Sequence, residues 1–257
     1  MTLSNRIALV TGASAGIGTA IARALAASGA AVVVNARRAA RLDALVAEIE
    51  GAGGRAAAVA GDAVENDTIR RMLDTARARW GAAPDLVVAN AGRGLAGSPL
   101  SSDESEWEDV IRVNLLGAMR LVRHAANAML EAQPDPEAWR THPRDIVIIS
   151  SSVGRNVSPF SSMYGSTKFA ISSIGEAVRR EVGPKGIRVT TIHPAVVRSE
   201  FQAVAGYDPE KFGTFMESIG PVLEPEDIAR LVTFATSQPA HVNLNDIMIR
   251  PTRQEYP

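Results

Sequence analysis

The feature that most constrains this chain of 257 residues is an alternation. Short runs of small and β-branched apolar residues are separated, again and again, by stretches with helical spacing. "RIALV" (6–10), "AAVVV" (30–34), "RAAAVA" (55–60), "DLVVAN" (85–90), "RDIVIIS" (144–150), "GIRVTTI" (186–192) and "NDIMI" (245–249) read as strands. Helical patterns cover about 17–28, 39–50, 66–80, 103–131, 162–182, 206–219 and 224–236, the last with Pro225 early and acids in its first turn. Continuously apolar strands must be covered on both faces. With right-handed crossovers this predicts an α/β, doubly wound, seven-stranded parallel sheet with helices on both faces. Neither a linker nor a repeat interrupts the pattern, so 1–257 is expected to be a single domain. The segment "EAQPDPEAWRTHP" (131–143), with its prolines, reads as a loop or a short surface excursion.

Directly after the first strand comes "TGASAGIG", which sets Gly12, Gly16 and Gly18 at a helix start. Glycines here allow a tight turn and a close approach of backbone to a pyrophosphate, and the helix N-terminus offers free N–H groups and a favourable dipole. Ser14 can add a hydroxyl, and Ile17 packs beneath the turn. A plain glycine turn would share the composition; the strand–glycines–helix context favours a dinucleotide site. At the end of the second strand, where NAD-specific folds commonly carry an acid for the ribose diol, stands Ala36, followed by Arg37 and Arg38. A carboxylate there would repel the additional phosphate of NADP, whereas a guanidinium pairs with it. NADP(H) is therefore the expected cofactor, with Arg37 the stronger candidate and a solvated helix start the alternative. Asp62, after the third strand, either accepts from the adenine amino group or caps the next turn.

In "SSMYGSTKFA" (161–170), Tyr164 and Lys168 stand four apart and share a helix face. A free phenol, with pKa ~10, accepts a proton poorly at neutral pH. A nearby ammonium favours the tyrosinate and is expected to lower that value, so that Tyr164 exchanges a proton with a hydroxyl or carbonyl oxygen while hydride moves at the adjacent carbon. A second group must hold that oxygen. Ser151 lies at the end of the fifth strand, where open α/β sheets line their ligand crevice, and Ser150 and Ser152 compete with it on composition alone. Asn114, an amide inside a helical pattern, can hold a water linking Lys168 to solvent. Taken alone, a Tyr–Lys pair on a helix is usually surface decoration; the glycine cradle, the strand-end serines and Asn114 together argue otherwise.

Composition closes several routes. With no cysteine, disulfides, thiolate catalysis and zinc–thiolate sites are excluded, and His124, His142, His193 and His241 show no metal spacing. A formal net charge of −1 with no long basic run gives no reason to expect nucleic acid. The apolar run at the start is too short for a signal peptide or a membrane span, so a soluble, cytoplasmic protein without a membrane partner is the expectation.

Together these residues resemble the short-chain dehydrogenase/reductase family over about residues 5–236. "TGASAGIG" is similar to its cofactor glycines, and "NAGRG" (90–94) to its motif after the fourth strand. Asn114, Ser151, Tyr164 and Lys168 fall on its catalytic tetrad, and the family's serine-to-tyrosine spacing selects Ser151. The resemblance implies a Rossmann-type catalytic domain. Tyr164 would be the acid/base, Ser151 would position the reacting oxygen, Asn114 would support a proton relay, and Lys168 would also bind the nicotinamide ribose. It further implies that Asn90, Ala91, Gly92 and Val113 line the cofactor site, with Asp62 and Ala63 at its adenine side. Pro194, Ala195, Val196 and Ser199 would follow the sixth strand, the Val196 N–H meeting the carboxamide. Pro194-Ala195 replaces the family's usual Pro-Gly, so the backbone there is expected to be less open to left-handed angles.

An NADP(H)-dependent carbonyl reductase or alcohol dehydrogenase is thus the expected activity. A 3-hydroxy acid (serine-type) dehydrogenase is the narrower alternative, on a short match at the C-terminal end. A catalytically silent NADP(H)-binding protein and a scaffold are the others. A loop or lid over about 195–222 is expected to bind the substrate. Arg93, Arg155 and Arg198 can hold a carboxylate, whereas Phe160, Met163 and Phe201 favour an apolar alcohol or ketone; Leu95, Val157 and Ala195 are further candidates. Small residues on two helices, Gly117, Ala118, Ala170 and Gly175, permit close contact between subunits, as in the homotetramers or homodimers the resemblance implies; packing within one chain explains them equally.

Overall fold

The structure, a computed structural model, describes residues 2–132, 135 and 137–256. Every expected strand forms: β1 (Ile7–Thr11), then α1 (Gly16–Ala27), β2 (Ala31–Ala36), α2 (Ala39–Gly51), β3 (Arg55–Ala60), α3 (Asn66–Trp80) and β4 (Leu86–Ala89). The second half continues with α4 (Trp107–Ile111), α5 (Ala118–Glu131), β5 (Arg144–Ile149), α6 (Ser162–Val182), β6 (Ile187–Pro194), α7 (Phe201–Val204), α8 (Pro209–Ile219), α9 (Pro225–Thr236) and β7 (Asp246–Ile249). The strands join in one parallel sheet, ordered β3-β2-β1-β4-β5-β6-β7.

The sheet is buried on both faces because alternate residues of one strand feed different cores. In β1, Ala8 and Val10 join Ile21 and Leu25 of α1, Leu42 and Leu45 of α2, and Ile228 and Val232 of α9. Ile7 and Leu9 face the other way, toward Ile69 and Met72 of α3, Leu121 and Met129 of α5, and Ile171 of α6. At roughly 1.5–3 kcal/mol for each large side chain removed from water, these two layers dominate the folding energy. Among the described residues, no helix is long and apolar enough to cross a membrane.

The amino edge of the sheet is tied by charge. Arg6 donates from Nε to Asp85 Oδ1 at 2.8 Å and from Nη2 to Asp145 Oδ2 at 2.8 Å; Arg188 donates to the same Asp145 at 2.7 and 2.9 Å. Arg6, Asp145 and Arg188 are buried.

Two stretches depart from expectation. The helix expected over 103–131 is broken into a 3₁₀ turn at Glu104–Glu106, α4, a π-helical turn at Arg112–Gly117, and α5. The wider turn carries Asn114 inward, a common place for such an irregularity to carry function. The expected small helix over 206–219 is α8, started by Asp208, whose Oδ1 accepts from the Glu210 and Lys211 N–H groups at 3.0 Å, with Pro209 in the first turn. In the 131–143 segment, Ala138–Arg140 form a 3₁₀ turn and Trp139 lies over Gly186; Pro134 and Pro136, on which the loop reading rested, lie outside the described residues.

Two glycines suggested for subunit contact are used within the chain. A Cβ at Gly175 would lie 2.5 Å from Thr191 Oγ1 of β6, and one at Gly117 would lie 3.1 Å from Val64 Cγ2.

Candidate active site

A cavity of about 1020 Å³ opens at the carboxyl edge of the sheet. Its walls include the segments after β1 and β4, where the strand order reverses, which is where open α/β sheets bind ligands. The turn after β1 is shaped by what it cannot carry. Gly12 has φ +67°, and a Cβ there would lie 2.9 Å from Ala91 Cα. A Cβ at Gly18 would lie 2.3 Å from the Gly12 carbonyl oxygen. Thr11 and Asn90 hold the two strand ends together: Asn90 Nδ2 donates to the Thr11 carbonyl at 2.9 Å, and Thr11 Oγ1 accepts from the Asn90 and Ala91 N–H groups, both at 3.1 Å. No side chain caps the first turn of α1, so its N–H groups are left for a ligand, and Ser14, Gly16, Ile17 and Gly18 line the cavity.

Beyond the turn lie the basic side chains. Arg37 is exposed, lines the cavity and, among the described residues, makes no hydrogen bond or ion pair. Arg38 donates to Ser14 Oγ at 3.0 and 3.2 Å and pairs with Glu200 at 3.2 Å. Arg41, which sequence reading passed over, pairs with the same Glu200 at 2.8 Å. The two guanidiniums, Arg41 foremost, hold the Glu200 carboxyl below its usual range. Asp62 closes its own turn, Oδ1 accepting from the Val64 N–H at 3.1 Å, while Oδ2 accepts from Arg112 at 3.0 Å. Ala63 and Val113 also line the cavity.

At the far end the three serines separate by partner. Ser150 Oγ is committed to the Lys168 carbonyl at 3.2 Å and to Ser172 Oγ at 2.8 Å. Ser152 is buried in the turn that follows. The Ser151 hydroxyl is the one of the three that acts on the phenol of Tyr164, favouring its ionised form. Tyr164 and Lys168 are both buried, and Lys168 Nζ stands 5.7 Å from the Tyr164 ring centre.

One expectation about this end needs correction. Burial pushes the Tyr164 phenol well above its ordinary value; the Ser151 hydroxyl pulls it part of the way back, and the nearby Tyr207 adds to the rise. The expected lowering by Lys168 is not realised, because Lys168 Nζ donates to the Ile149 carbonyl at 2.9 Å and burial lowers its own pKa from 10.5 to about 8. The amide of Asn114 is engaged by the chain itself. Its Oδ1 accepts from the Arg93 N–H at 2.8 Å, and its Nδ2 donates to the Arg93 carbonyl at 2.8 Å and to Thr167 Oγ1 at 3.1 Å. Asn114 thereby pins the loop after β4 against α6. The bare α-carbon of Gly92 sits between: a Cβ there would lie 3.1 Å from Asn114 Oδ1 and 3.6 Å from Lys168 Nζ.

After β6, Ala195 needs no left-handed backbone, since among the described residues Asn5 is the one non-glycine with positive φ. The Val196 N–H does not face an empty cavity; it donates to Gln254 Oε1 at 3.1 Å. Ser199 packs over the glycine turn, 3.3 Å from where a Gly16 Cβ would stand.

The arginines proposed for a carboxylate are already paired. Arg93 bridges Glu106 at 2.6 Å and Asp109 at 2.7 Å, Arg155 is engaged by Asp246, and Arg198 meets Glu224 at 3.0 Å. Apolar groups gather instead. Leu95, Val110, Val153 and Tyr164 form a cluster with Met163 and Phe201 packed against it. The Tyr164 and Phe201 rings are 5.4 Å apart; Tyr207 stacks on Phe212 at 5.1 Å, and Phe212 meets Phe215 at 6.0 Å. Phe160 lines the cavity and is largely exposed; Val157 is exposed and Ala195 lines the wall. Tyr207, Phe212 and Phe215 lie within the 195–222 region expected to bind the substrate but were not singled out there, although Phe212 and Phe215 stand three apart on one helical face.

Residues 6–209 match the family described as short chain dehydrogenase. Dehydrogenase/reductase SDR family member 11 of Homo sapiens is 35% identical, covering 97% of this chain and 95% of its own. An alcohol dehydrogenase from the archaeon Thermococcus sibiricus, solved with 5-hydroxy-NADP, superposes with TM-score 0.80 at 28% identity, covering 98% of this chain and 99% of its own. A 3-ketoacyl-(acyl-carrier-protein) reductase from Brucella melitensis, solved with NADH, does so with TM-score 0.85 at 25% identity and the same coverage.

Proposed function

The chain belongs to the short chain dehydrogenase family, and on that premise we propose that it is an NADP(H)-dependent oxidoreductase acting on an apolar ketone or secondary alcohol. The observation that carries this reading is the buried Tyr164 phenol, beside Ser151 and one helical turn from Lys168, in the cavity that the Gly12–Gly18 turn opens. That turn fits a dinucleotide: its glycines leave no room for side chains, and the uncapped N–H groups of α1 suit a diphosphate. Ala36 in place of an acid, with Arg37, Arg38 and Arg41 beyond it, supports NADP(H) over NAD(H). Asn90, Lys168 and Val196 would hold the nicotinamide half.

When bound, the nicotinamide supplies or accepts the hydride. The chain's own residues manage the oxygen. In reduction, the Tyr164 hydroxyl gives its proton to the substrate oxygen, a role suited to a phenol that burial keeps protonated. Ser151 donates to the same oxygen as negative charge develops on it. In oxidation, Tyr164 must lose its proton first, and a charged Lys168 offsets the cost of that anion.

The substrate is assigned by what the wall offers. Arg93, Arg155 and Arg198 are neutralised by the chain's own carboxylates, which disfavours the 3-hydroxy acid reading, whereas Phe201, Tyr207, Phe212 and Phe215 offer apolar area. The 195–222 region acts as the substrate-binding lid. A second copy of the chain is proposed to cover the outer faces of α5 and α6, where Met119 and Phe169 are exposed.

The test is oxidation of NADPH, with NADH in parallel, over aryl ketones, aldehydes and 3-oxo acids. Aryl ketones should turn over best, and Tyr164→Phe should lower kcat by about 10²–10⁴-fold. Cofactor binding without turnover of any carbonyl, or full turnover in the Phe variant, would overturn the reading.

A further inference from the structure

We propose that His193 is a positioning residue for Ser151: its buried imidazole, with the proton on Nδ1, holds the Ser151 carbonyl and so fixes where the Ser151 hydroxyl stands. The inference rests on the reading above of Ser151 as the group that holds the reacting oxygen.

Ser151 lies two residues beyond β5, with extended backbone (φ −163°, ψ 160°), and opens the 3₁₀ turn Ser152–Gly154. Its Oγ accepts from the Val153 N–H at 3.4 Å, and its carbonyl accepts from the Gly154 N–H at 2.8 Å. Both donors belong to the turn, so they shape it without tying it to the sheet. His193, the penultimate residue of β6, supplies such a tie. It is fully buried, and its Nδ1 stands 3.3 Å from the same carbonyl oxygen. That oxygen has two lone pairs and can take both donors. It cannot donate, so the contact is a hydrogen bond when Nδ1 carries the proton.

The imidazole is itself set among charges. Its Nε2 stands 3.2 Å from Asp246 Oδ1, at the start of β7, and makes no hydrogen bond. A neutral imidazole has one N–H, for which the carbonyl and the carboxylate compete. Arg155, directly after the turn, pairs with Asp246 and weakens the pull of that carboxylate on the ring. Burial holds the imidazole below its ordinary pKa against the opposing effect of Asp246, and Arg155 and Lys168 also disfavour a second proton. The ring is left with a single proton near neutral pH, and the aligned partner for it is the Ser151 carbonyl. The turn is thus held at both ends, Ser151 by His193 of β6 and Arg155 by Asp246 of β7. A carbonyl held in place orients the α-carbon beside it, and with it the hydroxyl that acts on Tyr164. Placement matters at a reacting centre, where a shift of about 1 Å can cost about 10²-fold in rate.

Two variants divide the imidazole between them. His193→Asn keeps a donor where Nδ1 stands, and His193→Gln moves it out to where Nε2 stands. In reduction of an aryl ketone by NADPH, His193→Gln should lower kcat by about three- to tenfold, the equivalent of one net hydrogen bond, with KM for NADPH unchanged. His193→Asn should keep kcat within about twofold of wild type. In a Ser151→Ala background, His193→Gln should change kcat no further, because no hydroxyl remains to be placed. Nitrogen-15 NMR of the wild type, in which His193 is the one buried histidine of four, should show its proton on Nδ1, a readout that stands even where a variant does not fold. Equal losses in the Asn and Gln variants, no loss in the Gln variant, an undiminished loss on top of Ser151→Ala, or a proton on Nε2 alone would each overturn the proposal. Full kcat in Ser151→Ala, or wild-type protein that reduces no ketone, would instead overturn the reading of Ser151 on which it rests.

Discussion

The two edges of one sheet treat buried charge in opposite ways. At the amino edge Asp145 lies between Arg6 and Arg188, every contact between 2.7 and 2.9 Å. At the carboxyl edge Lys168 is buried as deeply, yet among the described residues no carboxylate pairs with it, and its nitrogen has a backbone carbonyl for partner. Paired charge fixes strand ends in place. Unpaired charge is unfavourable to the fold, and its environment shifts its proton affinity toward the range where chemistry is done. The difference separates the edge that holds the sheet together from the edge proposed to work.

The largest effect should come from breaking the paired edge. Asp145→Ala leaves two buried guanidiniums without their shared carboxylate, and removal of one partner from a buried pair typically costs about 3–5 kcal/mol. Urea unfolding should show that loss, while the protein that remains folded binds NADPH as tightly as before. A loss under about 1 kcal/mol would mean that the amino edge does not depend on its charges in the way claimed.

The working edge should respond with the opposite sign. The depression of the Lys168 pKa from 10.5 to about 8 corresponds to about 3 kcal/mol of penalty on the folded state. Below pH 8 the folded and unfolded chains both carry the ammonium, and the penalty is present in full. Between pH 8 and 10.5 the folded chain gives up the proton first and the penalty fades. Lys168→Met should therefore be the more stable protein near neutral pH, by up to about 3 kcal/mol, with the advantage disappearing as pH rises through that window. The raised Tyr164 phenol acts in both proteins, destabilising them alike above its ordinary value of 10.0, so it cancels in the difference. A pH-independent gap between the two proteins would show that Lys168 is not under strain.

How much of this was legible follows the same division. The strands, the glycine turn and the Tyr164–Lys168 pair are local patterns, set by alternation, by left-handed or crowded backbone positions and by helical periodicity. Gly12 and Gly18 could be read because nothing larger fits where they lie. What escaped is long-range. The Arg6–Asp145 bond spans 139 positions, Arg41–Glu200 spans 159, and Val196–Gln254 spans 58. No local spacing announces such pairs. The assignment of a carboxylate-binding role to Arg93 failed for the same reason: its partners Glu106 and Asp109 are supplied by the 3₁₀ turn and the short α4 that replace the start of the long helix expected over 103–131. The proton affinity of Tyr164 was misjudged because helical spacing gives direction and no measure of burial.

The smallest expected effect separates a permanent pair from an exchangeable one within the same molecule. Glu200 lies on Arg38 and Arg41 much as Asp145 lies on Arg6 and Arg188, but all three side chains are about half exposed, so water and salt compete for each partner. If these arginines face the additional phosphate of NADP(H), the Glu200 carboxylate must yield to it or repel it. Glu200→Gln keeps the shape and removes the charge. NADPH affinity should rise by about two- to fivefold at low salt, NADH affinity should barely change, and the gain should shrink as salt is added. Equal changes for the two cofactors would place Glu200 away from the distinguishing phosphate, and a stability loss as large as that of Asp145→Ala would mean that the exposed pair is as structural as the buried one.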